Sequence, residues 1–260
     1  MDEIKYFMKN INTTLCIPAA ASAKMYNAIG IKTPEIELLS KMDNYEIIST
    51  RQKFIASTKN ILFTLANDDL DFIKIRQEFI DKYKWNIFCN ESLINHFQKF
   101  MTPECLEQLQ NIFLVDELRT DVDRHTKNYF FYKNKGSAKY EGVVVIDLEL
   151  MIIYNYCGFS KDDFNNFLYF PYASATPQQS TDKLCYKERA KNLCEIIQCG
   201  VLSKNNQQAL ISALTYDFPE EVNNYCKKQH IYFKNKKKIT TPIERLWDYN
   251  RNTVGKELGL

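Results

Sequence analysis

Glycine is scarce in this chain. There are 7 glycines in 260 residues, against an average usage of roughly 7%. Loops that cradle phosphates gather several glycines close together. Here no two lie closer than Gly255 and Gly259, and neither G-x-G-x-x-G nor G-x-x-x-x-G-K-[ST] occurs. That argues against a Rossmann or P-loop nucleotide enzyme. Histidine is scarcer still, with His96, His125 and His230, so any search for a general base is short. No apolar run reaches the length of a membrane span, because Asp147 and Glu149 interrupt the best candidate. The acidic start Met-Asp-Glu-Ile-Lys lacks the charged-then-apolar order of a signal peptide. The expectation is a cytoplasmic protein, or one delivered by a secretion system that needs no signal peptide.

What is present suits a folded domain. The apolar share is 45% and the aromatic share 13%, with a formal charge of only +2. Such a field does not favour nucleic acid as a partner. The eight cysteines (16, 89, 105, 157, 185, 194, 199 and 226) are expected as free, mostly buried thiols.

Apolar residues at three- and four-residue steps predict helices over 45–65 and 68–83. Others are predicted near 18–29, 90–111, 160–168, 182–199, 203–215, 218–229 and 242–258. Thr33-Pro34, Thr102-Pro103 and Thr241-Pro242 each place a capping hydroxyl before a proline, as at a helix start. The aromatic run 128–133 and the valine-rich run 142–150 flank the turn Asn134-Lys135-Gly136-Ser137, which predicts a β-hairpin. The Pro-, Ser- and Thr-rich stretch 171–182 reads as a linker. The expected fold is α+β and helix-rich. A unit over 1–170 holds a small antiparallel hairpin, and a helical unit over 183–260 follows it.

The segment from Thr14 to Leu39 holds a cysteine just before a helix that Pro18 opens. A thiol at a helix N-terminus is favoured as thiolate, and the nearby N–H groups can hold an oxyanion. Cys16, Pro18, Ala19, Ala20, Gly30, Ile31, Glu37 and Leu38 resemble, in that order, the nucleophile segment of papain-like cysteine peptidases of the bacteriocin-leader and bacterial-effector types. The resemblance implies a cysteine hydrolase or acyltransferase acting on a protein or peptide, with no cofactor and no metal. It implies Cys16 as nucleophile, His125 as base and Asp147 as orienting group. Asn10 falls where such enzymes carry an oxyanion-holding glutamine. His230 is a rival base, opening a possible short strand.

Other groupings carry less. Asp121-x-Asp123-x-His125 has metal-ligand residue types without further ligands in register. Asp147-x-Glu149 after a valine run resembles the first acidic pair of an RNase-H-like exonuclease. Cys194, Cys199, Cys226 and His230 have zinc-ligand types but poor helical spacing. Lys227, Lys228, Lys234, Lys236, Lys237 and Lys238, with Tyr232 and Phe233 among them, could grip phosphates. They give the alternative expectation: a non-enzymatic protein whose helical C-terminal region binds a protein or nucleic-acid partner. The last helix, from Asp248 to Gly259, resembles endings of some bacterial secreted toxins.

Overall fold

The structure, a computed structural model, describes residues 6–41, 47–53, 58–69, 72–73, 86–121, 126–148, 186–231 and 233–260. His125, the expected helix at 160–168, the expected linker 171–182 and nearly all of 68–83 lie outside these residues.

The chain opens with strand β1 (Tyr6–Asn12) and helix α1 (Thr13–Ala28), followed by β2 (Ile36–Lys41) and β3 (Ile47–Lys53). β3 lies between β1 and β2 and runs antiparallel to both. Along β2 the buried Ile36 and Leu38 alternate with the exposed Glu37 and Leu39, the period of a half-buried strand. Glu37 faces Arg51 of β3 in register, and Arg51 Nε donates to Glu37 Oε2 at 2.9 Å. The Thr33-Pro34 pair does not start a helix. The Thr33 hydroxyl instead donates to the Ala23 carbonyl of α1 at 3.2 Å, and the chain leaves extended. α1 ends in a Schellman turn at Gly30 (φ +81), with Ile31 N on Tyr26 O at 2.9 Å and Gly30 N on Asn27 O at 3.1 Å.

The expected helix over 45–65 is also corrected, since β3 and β4 (Ile61–Leu65) occupy it. The stretch is rich in isoleucine and threonine, which suit a pleated surface. Thr58 Oγ1 accepts from Ile61 N at 3.1 Å and marks a turn between strands. β4 pairs with β5 (Tyr129–Asn134), which pairs with β6 (Gly142–Val145), all antiparallel. The expected hairpin is therefore present. Under this second sheet, Phe72 meets Phe131 edge-on at 4.9 Å and Tyr129 at 5.8 Å.

The segment expected as one helix over 90–111 is two. Short helix α2 (Asn86–Cys89) precedes α3 (Glu91–Phe97), and α4 (Pro103–Arg119) begins afresh at Thr102, whose Oγ1 accepts from Cys105 N at 3.2 Å. The C-terminal helices are α5 (Tyr186–Gln198), α6 (Lys204–Thr215), α7 (Phe218–Lys228) and α8 (Phe233–Asn250), closed by a π-turn over Arg251–Gly255. A capping box of Ser203 and Asn206 starts α6, and Asp217 caps α7. Thr241-Pro242 lies inside α8 and not at its start.

The architecture is α+β with small antiparallel sheets. The core is continuous from α1 and α4 into the C-terminal helices. Trp247, fully buried, packs on Phe218 at 4.8 Å and donates from Nε1 to Tyr216 O at 3.2 Å. Asn206 Nδ2 donates to Asn111 Oδ1 at 2.7 Å, tying α6 to α4. No helix among the described residues is long and apolar enough to cross a membrane.

Candidate active site

The base of the β5–β6 hairpin gathers the polar groups. A single 3₁₀ turn, Thr126–Asn128, leads into β5. At the other end of the hairpin Ile146 N donates to Asn128 O at 3.0 Å. Asn128 is buried, and the next residue after Ile146 is Asp147. Asp147 has φ +56, a left-handed conformation that aspartate tolerates better than most residues. It turns the chain out of the strand direction. Its Oδ1 accepts from Lys9 Nζ of β1 at 2.6 Å. The pair is partly exposed, with side chains 29% and 38% accessible, so it adds little to stability. What it does is join the first sheet to the end of the second. The join is reinforced where Val145 N donates to Lys32 O at 2.9 Å. Helix α1 carries no acidic residue, so no carboxylate of that helix competes with Asp147 for Lys9.

A buried charged cluster stands behind this join. Arg119, fully buried, donates from Nη2 to Leu148 O at 3.1 Å, and from Nη1 to Asp121 Oδ2 and to Tyr26 Oη at 3.2 Å each. Tyr26 Oη donates to Asp116 Oδ1. Arg189 of α5 donates from Nη1 to Asp121 O at 2.8 Å and lies 3.5 Å from Glu117 Oε1. Asn250 Nδ2 donates to Leu118 O at 2.8 Å, satisfying a carbonyl at the end of α4. That helix ends in a Schellman turn at Thr120 (φ +55), with Asp121 N on Asp116 O at 2.9 Å.

The residues singled out from sequence that are described lie on different elements. Cys16 is the fourth residue of α1, which begins earlier than expected, and it is 1% exposed in the apolar core. Asp147 is engaged by the Lys9 ammonium. Asn10 lies in β1 in register with Ser49. His125 is outside the described residues. His230 does not open a strand: it is the left-handed residue (φ +50) of the turn that ends α7, with Ile231 N on Cys226 O at 2.9 Å.

The lysine run is split between two helices. Lys227 and Lys228 end α7, while Lys234, Lys236, Lys237 and Lys238 belong to the first turns of α8. Lys227 Nζ lies 3.4 Å from Glu220 Oε1. The Glu220 carboxyl is held below the usual range, first by a hydrogen bond from Asn223 and then by Lys227. Among the described residues no three His, Cys, Asp or Glu side chains gather as a metal site.

Lys9 and Asn128 were not singled out from the sequence. Their contacts depend on the tertiary fold: Lys9 reaches Asp147 from β1, and the Asn128 carbonyl accepts from Ile146 N.

No protein-family model and no curated protein matches the chain. Solved structures do. The Helicobacter pylori proinflammatory kinase CtkA is similar over 97% of this chain and 88% of its own, with a TM-score of 0.56 at 14% identity. HipA of Shewanella oneidensis MR-1, from a toxin–antitoxin complex with HipB and operator DNA, is similar over 93% of this chain and 56% of its own. Its TM-score is 0.53 at 11% identity. At these identities the likeness is one of fold. It overturns the papain-like expectation, and with it the cysteine hydrolase, acyltransferase and thiol-protease readings. The chain shares the fold of these two structures, and in it the segment around Cys16 is a buried helix that follows the first strand.

Proposed function

We propose that the chain is a kinase-like phosphotransferase that moves a phosphoryl group from Mg²⁺-bound ATP to a hydroxyl acceptor. The observation that carries this reading is the 2.6 Å Lys9–Asp147 contact, which joins an N-terminal sheet to the acidic end of a hairpin. Protein kinases use a strand lysine on the nucleotide phosphates. They also use an aspartate and an asparagine separated by four residues, and a further aspartate on the metal. Lys9, Asp123, Asn128 and Asp147 supply those residue types in that order.

The donor set suits the metal. A carboxylate and an amide carbonyl are hard oxygen ligands of the kind Mg²⁺ takes, and the Ile146–Asn128 hydrogen bond keeps the two segments together. When bound, Mg²⁺-ATP supplies the transferable phosphoryl group and neutralises its charge. In this reading Lys9 holds phosphate oxygens. Asp147 and Asn128 supply oxygen ligands. Asp123 orients the acceptor hydroxyl and takes its proton. The proposed acceptor is a protein or peptide hydroxyl, and the proposed compartment is one that supplies ATP, such as the cytosol.

The test is transfer of labelled γ-phosphate from ATP to the protein itself and to a generic protein acceptor, with Lys9→Met and Asp147→Asn alongside. The expected result is Mg²⁺-dependent labelling that falls by roughly a hundredfold or more in each variant. Wild-type protein that binds no nucleotide by calorimetry in the presence of Mg²⁺ would sink the reading. So would an Asp147→Asn variant as active as the wild type.

A further inference from the structure

We infer that Arg119 is a positioning residue that sets the turn at the end of α4 against the chain leaving Asp147. The inference rests on the phosphotransfer reading. Arg119 holds the carbonyl of Leu148, the residue after Asp147, at 3.1 Å. It also holds the carboxylate of Asp121, in the turn that ends α4, at 3.2 Å. Its third partner, Tyr26 Oη at 3.2 Å, belongs to α1, the helix that follows the strand bearing Lys9. One guanidinium therefore ties together the turn that ends α4, the chain leaving Asp147 and the helix that follows the strand of Lys9.

Three further observations bear on this role. Arg119 has no solvent exposure, and Asp116 and Asp121 are each 1% exposed. Apolar side chains would often fill such a space with equal or greater stability. What apolar groups cannot do is donate in several fixed directions from one plane. Thr120, between Arg119 and Asp121, has φ +55, which is rare for a β-branched residue and persists only where its surroundings hold it. Arg189 grips the same turn from the other side at the Asp121 carbonyl. The turn is thus fixed from α4, α5 and α1 together.

Arg119 touches no reacting atom in this scheme, so its loss should appear in turnover and metal use more than in nucleotide affinity. The experiment is steady-state phosphotransfer by the full chain, titrated separately with ATP and with Mg²⁺, for wild type, Arg119→Lys and Tyr26→Phe. Circular dichroism reports whether each variant folds. In Arg119→Lys we expect kcat to fall by about 30- to 100-fold, the scale of a 1 Å misplacement. We expect the Mg²⁺ concentration for half-maximal rate to rise several-fold, with KM for ATP within about threefold of wild type. Tyr26→Phe should move the same two quantities in the same direction by less. A folded Arg119→Lys variant with kcat and Mg²⁺ dependence within about twofold of wild type would overturn the role. If that variant does not fold, an unchanged Tyr26→Phe overturns it instead. Wild-type protein without Mg²⁺-dependent nucleotide binding overturns the phosphotransfer reading and this role together, whereas active but insensitive variants overturn this role alone.

Discussion

Lys9 and Asp147 are separated by 138 positions in the chain, yet their charged atoms lie 2.6 Å apart. β1 presents the ammonium from the first sheet. The left-handed turn after β6 presents the carboxylate from the second. Neither sheet alone could make the pair.

Because the pair is partly exposed, removing it should barely affect stability. Lys9→Met and Asp147→Asn are each expected to change unfolding free energy by about 1 kcal/mol or less, measured by urea titration. Asparagine keeps the tolerance for a left-handed backbone at position 147. A loss of several kcal/mol would mean that the pair serves the fold and not a site.

Thiol labelling separates buried from accessible cysteines. Among the described residues Cys89 and Cys199 are exposed, while Cys16, Cys105, Cys194 and Cys226 are buried. Iodoacetamide on native protein at neutral pH, read by peptide mass spectrometry, should modify Cys89 and Cys199 and spare Cys16 and Cys105. Fast modification of Cys16 would contradict its burial in α1.

Gly142 is held by a neighbour and not by its backbone. A Cβ there would lie 2.4 Å from Tyr132 Oη, in the ring that faces it across the hairpin. Lys32 Nζ sits over that ring, 4.2 Å from its centre. Gly142→Ala should therefore cost about 1–3 kcal/mol by overpacking. In a Tyr132→Ala background the same change should cost less. Equal costs in the two backgrounds would rule out the ring as the cause.

Burial, with a smaller contribution from Glu104, pushes the Cys105 thiol from 9.0 up to about 12. Below pH 9 it is protonated whether folded or unfolded, and its contribution is fully present. As pH rises toward 12 the unfolded chain ionises while the folded one does not, so stability falls by about 1.4 kcal/mol per pH unit. Tyr216, also raised to about 12 by burial, adds a fall that begins near its ordinary value of 10.0. Cys105→Ala should remove the first fall and leave the second. The measurement is the urea midpoint of both proteins across the alkaline range.

The legible parts of the fold were those that local chemistry decides. Thr102-Pro103 announces a helix that begins where its cap requires, and helices stand where the periodicity over 203–215 and 218–229 places them. The turn at Asn134–Ser137 and the valines after Gly142 announce the hairpin. The first sheet was not legible, because its strands are made by pairing. β3 has a pattern that also fits a helix, and only β1 and β2 on either side make it a strand. At Thr33 the hydroxyl that resembles a cap is taken by the preceding helix. The site failed for a related reason. Asp147 was singled out, but its partner Lys9 lies in a strand that is made by pairing with β3. Cys16 drew attention because a thiol at a helix start is reactive. The helix in fact begins at Thr13 and buries it.

The burial of α1 decides how such a site could be controlled. Cys16, Ile17, Ala19, Ala20, Ala21, Ala23, Met25 and Tyr26 are each at most 4% exposed, so swinging the helix aside would uncover a wide apolar face to water. Its lack of any acidic residue also means that no ion pair with Lys9 waits to be made or broken by such a swing. The helix is a fixed strut. On–off control of this protein would have to work elsewhere, through the occupancy of the partly exposed Lys9–Asp147 contact.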